Sequence, residues 1–547
     1  MSSTTAVTQP APTGGPPTSS GGLRLRPHAL GFPTLLAQSV ALISPTMTAV
    51  LIIALAFGDS GQGTWAAYLF GTIMLLFVVL GLNQFARRSA TAGSMYAYTA
   101  RGLGPAAGVL SGWALIWSYW GIATAGLGGF AIFAQQFLNG IGVHGSVSPF
   151  LLFTISGAVC LTIAWKDIRV SSLLTLALEA ISVTCILSLA AVVLFKHGFS
   201  VDSAPLELKG VSIKGMDFAI VICIFSLVGF ESATALGSEA RNPLRNVPRA
   251  VIVSLLITGA FMVFMSYVEV FATNHMGVSL GALATPLTNI ATAYKVSFFH
   301  VPVALGAMVS FFSLSLSCLN AGARIIFPLG GHGFLPRRVH AVHHRNMTPH
   351  VALASYGAVI FTVAMLLHAT GTSALTLFDD AGTMAAFGFL TAYFMITLAA
   401  PFYMRKLGEL RRRHVVIAVL AFACLMVPTV GSFYPAPEWP VNLFPYLFLA
   451  FMLLGGARLY QMHRAQPDAL PAIQRDLELA LAASAHEIAV SEEEHQHIHV
   501  PGPRFHPSPA AAPVPGANIA GVNAASAGAN IAGANIVSAV GQSDTGR

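Results

Sequence analysis

Runs of about 20 apolar residues recur along most of this chain, each long enough to cross a bilayer core of roughly 30 Å as a helix. Twelve are predicted, at 34–57, 64–85, 105–137, 148–165, 171–195, 216–239, 248–272, 300–329, 350–370, 377–402, 415–432 and 441–462. The runs 105–137 and 300–329 are long enough to tilt. Only 9% of the 547 residues are charged, whereas soluble domains carry about 25%. A single soluble core also stops growing near about 250–300 residues. The expected fold is therefore all-α and membrane-integral, with the lipid bilayer as its surroundings.

The formal charge of +7 would suit a nucleic-acid partner, but the placement of the charges argues otherwise. With a cytoplasmic N-terminus, the outward loops receive only Lys196, Lys209, Lys214 and Lys295 of the 28 basic residues. Basic residues held on the inner side orient membrane proteins, and an even number of crossings returns the C-terminus to the cytoplasm. The basic balance thus reports topology in the cell membrane and implies no nucleic acid. Cys160, Cys185, Cys223, Cys318 and Cys424 all fall inside apolar runs without a CxxC pair. No disulfide framework, metal or cofactor is expected.

The organisation divides into three parts. Residues 1–32 read as a disordered cytoplasmic tail without a cleavable signal, 33–462 as the membrane domain, and 463–547 as a mostly disordered cytoplasmic tail. Within the last, 472–494 has the pattern of a short amphipathic helix, and the "HQHIH" after it reads as solvated tail.

Two runs are interrupted at membrane depth, where irregular backbone survives only if it lines a cavity or is buried in protein. In "ALISPTMTAVL", Pro45 removes a donor and disfavours helical geometry at Ser44, and Thr46 and Thr48 add hydroxyls. In "LVGFESAT", Gly229 eases unwinding and Glu231 and Ser232 follow directly. A carboxylate at that depth costs about 2.5–3.5 kcal/mol even on lenient insertion scales. The interruptions fall in the first and sixth runs, at matching positions of two five-helix halves, about 33–195 and 216–402. Such pairing points to an inverted-repeat transporter with its site at the midplane. Freed N–H groups suit a substrate carboxylate and freed carbonyls an ammonium or cation, and an amino acid presents both. Either break alone would also serve as a plain kink.

The stretch "GFESATALGSEARNPLRNVPRA" resembles the sixth helix and following loop of the amino acid–polyamine–organocation superfamily, through Gly229, Phe230, Glu231, Glu239, Asn242, Pro243, Arg245, Pro248 and Ala250. "SATAGSMYAYTARGLGPAAGVLSGW" (89–113) and "LNAGARIIFPLGGHGFLPRRVHAVHHRNMTPH" (319–350) resemble that family's loops after the second and eighth helices. The resemblance spans about residues 30–460. It implies a five-plus-five inverted repeat with helices 1 and 6 broken and two further helices at about 415–462. It also implies secondary transport of an amino acid or related amine, not an enzyme.

Carried over position by position, the resemblance implies a substrate site of Ser44, Pro45, Thr46, Met47 and Thr48 in helix 1, with Phe225, Leu227, Val228, Gly229, Glu231 and Ser232 in helix 6. Phe225 occupies the place of an aromatic that closes over substrate. Many relatives carry Gly-Ser-Gly where this chain has Ser44-Pro45-Thr46, which leaves the contact to a substrate carboxylate open. Trp117 and Trp120, with Tyr119 between them, are candidate pocket-lining aromatics. Helix 5 has Ser182 where some proton-coupled relatives carry lysine, with Glu179 about one turn earlier. Glu179 lies about nine residues from the inner end of its run, near 13 Å, and Glu231 lies about eight. Loss of water favours the proton-carrying form of a carboxyl, so Glu231 and Glu179 are the candidate proton carriers. A sodium site built from Ser182, Ser313, Ser317 and helix 1 carbonyls is the alternative.

Symport and exchange both remain open. The hydroxyls beside Phe225 suit a small or moderately apolar zwitterion, and no second acidic cage supports a polyamine. Two other readings are weaker. His332, His340, His343, His344 and His350 share one basic loop without further histidine boxes, which suits loop residues better than a metal oxygenase. A transporter-like sensor lacks an attached signalling domain. Glu269, Asp379 and Asp380 are expected near hydrated helix ends.

Overall fold

In the computed structural model, residues 29–89, 95–166, 168–199, 202–208, 211–283, 285–434 and 439–479 are described, and all lie within one compact unit. The helices are α1 Phe32–Ile43, α2 Ile53–Ser60, α3 Thr64–Ala86, α4 Met95–Leu103, α5 Pro105–Gly140, α6 Pro149–Lys166, α7 Ile168–Lys196 and α8 Ile213–Leu227. They continue as α9 Pro243–Met276, α10 Pro286–Ala293, α11 His300–Gly331, α12 His350–Ala369, α13 Ala374–Lys406, α14 Arg412–Gly431 and α15 Phe444–Ala465.

Eleven segments among the described residues are long and apolar enough to cross a membrane. The first of them, Phe32–Ala86, is 55 residues long and contains both the first and the second expected runs. Gly61, with φ +53°, turns the chain inside it. The later segments correspond to the remaining expected runs, so the multi-pass, all-helical expectation holds.

Burial follows membrane logic. On α14 the exposed residues Val415, Val416, Val419, Leu420, Phe422, Met426 and Val430 form an apolar outer surface suited to lipid. The interior is lined instead by long helices in close approach. Gly388 of α13 sits where a Cβ would meet the Ala114 carbonyl oxygen of α5 at 2.3 Å, and Gly306 of α11 faces Ser182 of α7. Small residues of this kind let membrane helices touch through their backbones.

Both expected interruptions are present. Ser44 ends α1 in the left-handed region (φ 51°, ψ 71°), and Pro45–Met47 starts a new turn that runs through a π-helical stretch, Thr48–Ile52, into α2. The residue before proline avoids helical geometry, which is why the turn falls there. The second break follows Leu227. Val228 is extended, Gly229 is left-handed, and Phe230–Glu239 continues as a 3₁₀ helix.

One feature lies outside the expected pattern, and another bears on an expected one. Leu30 pairs with the segment after the second break, its N–H donating to the Glu239 carbonyl (3.0 Å) and its carbonyl accepting from Arg241 N–H (2.7 Å). Beyond α15, residues 469–479 form a helix that buries Ile473 and Leu477. Its Leu477 carbonyl accepts from Arg101 of α4 at 3.4 Å. The beginning of the expected C-terminal tail is therefore packed helix, overlapping the start of the expected 472–494 helix, with Ile473 and Leu477 buried in the core. Residues 1–28 and 480–547, which include most of the expected tails and the "HQHIH" stretch, lie outside the described residues.

Candidate substrate and ion site

The two breaks meet. A Cβ placed on Gly229 would stand 2.1 Å from Cδ2 and 3.3 Å from the backbone carbon of Leu42, two residues before the Ser44 turn. Around this contact α1 and the second break are stitched together. Ser39 Oγ donates to the Phe230 carbonyl (2.7 Å) and accepts from Ala233 N–H (3.1 Å), while Ser232 Oγ donates to the Gln38 carbonyl (3.2 Å). Gln38 Nε2 in turn donates to the Ser317 carbonyl of α11 at 2.9 Å.

Glu231 is fully buried and held from three sides. Tyr119 of α5 donates its hydroxyl to Oε1 at 2.9 Å, and Tyr393 of α13 donates to Oε2 at 2.6 Å. The Gly229 N–H, freed by the break, donates to Oε2 at 3.1 Å. Hydrogen bonds to an ionised carboxylate are roughly twice as strong as neutral ones, and this set offsets much of the cost of burial.

Glu179 is buried beside the first break. Its Oε1 accepts from Thr46 Oγ1 (3.1 Å) and Thr46 N–H (3.4 Å), and its Oε2 accepts from Ser310 Oγ of α11 (2.6 Å). Ser182 Oγ lies 2.6 Å from Thr46 Oγ1, and Ser44 Oγ lies 3.0 Å from Ser310 Oγ. One carboxylate and four hydroxyls from three separate elements thus converge on the turn that Pro45 imposes.

The expected site residues divide accordingly. Ser44, Pro45, Thr46, Gly229, Glu231, Ser232, Glu179 and Ser182 are brought to the two breaks. Met47, Leu227 and Val228 are buried next to them in sequence, and Phe225 is partly buried. Thr48, Ser313 and Ser317 keep buried hydroxyls without a partner among the described residues, as does the Gln38 carbonyl oxygen Oε1.

Trp117 is a correction. Its Nε1 donates to the Met384 carbonyl (2.7 Å) and its ring packs on Phe448 and Phe451 of α15, with Trp120 tilted against it at 5.2 Å. Neighbouring positions on a helix point about 100° apart, so Tyr119 faces Glu231 and Trp117 faces the opposite side. Glu269 is another correction. It is fully buried in α9 and shows no helix-end exposure. In the histidine loop, His340 stacks on Phe327, and His343 and His350 border Trp165.

Tyr393, Ser310, Gln38 and Ser39 escaped the sequence reading. Ser310 sits three residues before Ser313 in "SFFSLSLS", so the hydroxyl repeat signalled the right face but one turn off. Tyr393 lies in an uninterrupted apolar run and carries no local signal. A nearby cavity of about 260 Å³, lined by Leu127, Gly157, Leu319, Gly357 and Phe361 among others, contains neither glutamate.

The sequence model of the family described as "Amino acid permease" matches residues 35–453. This chain belongs to the amino acid permease family. The permease is also similar to a branched-chain amino acid permease, BcaP, of Bacillus subtilis (strain 168), 24% identical over 388 residues, covering 68% of this chain and 78% of that protein. It is similar to cationic amino acid transporter 4 of Mus musculus, 27% identical over 354 residues, covering 62% of this chain and 54% of the relative. It is similar, too, to the low-affinity putrescine importer PlaP of Escherichia coli (strain K12), 22% identical over 387 residues, covering 69% and 80%. The permease is accordingly a multi-pass membrane transport protein of the amino acid–polyamine–organocation superfamily.

Gly229 offers a direct check on the site. Substituting alanine forces a side chain into a φ of +104° and against Leu42, and strain of this kind costs about 1–3 kcal/mol. Gly229→Ala is expected to lower uptake by about 10-fold or more, with a smaller loss in thermal stability, read by flux assays and melting curves of purified protein. Uptake at the wild-type rate would show that the break tolerates a side chain.

Proposed function

We propose that the permease is a secondary active transporter that moves an amino acid or related small amine across the cytoplasmic membrane by proton symport and alternating access. The observation that carries this reading is Glu231, a buried carboxylate tied to an opened helix by Tyr119, Tyr393 and the Gly229 N–H. Taking up or giving up a proton there changes what the three donors hold, and so changes the balance between break geometries. The polar atoms of Gln38, Thr48, Ser313 and Ser317 that lack a partner among the described residues support it further, since buried polar groups without partners need an explanation. A bound solute supplies one.

In this reading the 55-residue first segment crosses twice, because at 1.5 Å per residue it is more than twice the roughly 30 Å of hydrocarbon. Twelve crossings then place both termini in the cytoplasm, with α1 and α8 as the broken helices of two inverted five-helix repeats. The named substrates of the relatives span branched-chain amino acids, cationic amino acids and putrescine. The hydroxyl-rich surroundings of the first break favour a small or moderately apolar zwitterion.

A second reading has its own observation. The four hydroxyls around Glu179 form an oxygen-rich shell suited to a sodium ion, which would make the transporter sodium-coupled. Proteoliposomes loaded with no substrate and given leucine, arginine or putrescine under separate proton and sodium gradients distinguish the two. Proton symport predicts uptake of a neutral amino acid that rises with an inward proton gradient, collapses with a protonophore and ignores sodium. Uptake driven by sodium alone would replace it with the second reading.

A further inference from the structure

Glu269 of α9 differs from the other two buried glutamates. Its carboxyl group is inaccessible, and neither Oε1 nor Oε2 has a hydrogen-bond partner among the described residues. Glu231 and Glu179, by contrast, each receive three donor contacts. A carboxylate without donors or a counter-cation is not stable in such surroundings, and the group is retained there as the neutral acid.

Tyr68 lies on α3, which packs against α9. Tyr68 is also fully buried, and its hydroxyl makes no hydrogen bond of normal geometry among the described residues, with Ser226 and Cys223 as its near polar neighbours. Ser226, which borders Tyr68, already donates to the Cys223 carbonyl at 2.8 Å. Two buried polar groups with unused hydrogen-bonding capacity therefore lie on helices that pack on one another, and α9 packs in turn on α1, which ends at the first break.

We propose that Glu269 and Tyr68 form a proton-binding site of this permease, separate from Glu231 and Glu179 and occupied by a proton in the conformation described here. The proton sits on the Glu269 carboxyl. When the surrounding helices part, the carboxyl meets water and releases it, and the Tyr68 hydroxyl, turned toward the carboxylate, donates to the anion left behind. Glu269 lies seven residues from Met276, the end of α9, so the path to water is about 10 Å of helix. The titratable groups on the elements packed around Glu269 include Tyr68 of α3 and its neighbour Cys223 of α8. Nearer Met276 come Tyr294, whose hydroxyl reaches the Ala272 carbonyl at 3.5 Å, and the paired rings of His197 and His275, 4.3 Å apart. Asp59, at the end of α2, packs by its backbone on Gly215.

This site deepens the transport reading but can be tested without it. Infrared titration of the full chain in lipid nanodiscs reads protonated carboxyl groups through their C=O stretch. The expected result is a protonated-carboxyl band at neutral pH that disappears in Glu269→Gln, persists in Glu231→Gln and Glu179→Gln, shifts in Tyr68→Phe, and fades as the pH is raised. If Glu269→Gln does not fold, Glu269→Asp should move the band and its titration midpoint instead. A band unchanged in both Glu269 variants overturns the proposal, as does a Glu269 band that never titrates while the fold persists. A band that titrates in a protein showing no flux would leave this site standing and remove only the transport reading.

Discussion

Glu231→Gln is expected to abolish uptake driven by a proton gradient while the protein still folds. The amide keeps the shape of the side chain but removes the charge and the exchangeable acidic proton. It also puts an amide NH2 where one carboxylate oxygen accepted, against either the Tyr119 hydroxyl or the Tyr393 hydroxyl and Gly229 N–H. Hydrogen bonds to a charged group contribute about 1.5–3 kcal/mol each, so losing even one favours a different geometry at the break by 10- to 100-fold. Uptake in proteoliposomes should fall by at least that factor under an inward proton gradient. Size-exclusion behaviour and melting temperature should stay close to wild type. Tyr393→Phe, which removes one donor and leaves the carboxyl, should lose less. Wild-type uptake rates from Glu231→Gln under the gradient would exclude Glu231 as the coupling group.

The second large effect concerns stability. Arg324 of α11 and Glu239, at the end of the 3₁₀ segment, form an ion pair with Nε–Oε1 at 2.6 Å and side chains only 1% and 0% exposed. Arg324 also donates to the Asn320 carbonyl (3.2 Å), and Asn320 Nδ2 donates to Ser171 Oγ of α7 (2.7 Å). The Glu239 carbonyl at the same place holds Leu30. Removing one member of a buried pair leaves an uncompensated charge and costs about 3–5 kcal/mol, whereas replacing both by apolar residues of similar volume is often neutral. Arg324→Ala or Glu239→Ala should therefore lower the unfolding free energy by that amount in denaturant titrations in micelles, and the double variant Glu239→Leu with Arg324→Met should recover most of it. Single variants within about 0.5 kcal/mol of wild type, the level of an ordinary surface change, would show that the pair is solvated in the working protein.

Both effects involve residues whose neighbours the sequence names only in part. The apolar runs, the two interruptions and the unusual depth of Glu231 were legible because each is a local property of composition. A proline disfavours helical geometry at the residue before it, and a glycine relieves the left-handed region, through forces that act within a few residues. The pairing of Glu179 with Thr46 was not anticipated, since 133 residues separate them; only the similar depth of Glu179 and Glu231 was. The aromatic cluster in α5 showed that something was bulky there but not which ring faced inward. That direction depends on how α5 rotates against α13 and α15, which no local pattern states.

Sequence alone determined that this chain is a bundle of membrane helices with two opened turns and a carboxylate at one of them. Hydrophobic length and the conformational rules of proline and glycine act over a few residues, so they can be read in order. Tertiary structure alone decided which groups meet: Tyr119 and Tyr393 on Glu231, Ser310 on Glu179, Arg324 on Glu239, and no hydrogen-bond partner for Glu269 among the described residues. Those assignments arise from contacts between helices distant in sequence, where a rotation of one position moves a side chain by about 100°. A buried carboxylate with donors and one without them read alike in the sequence, and packing is what separates them.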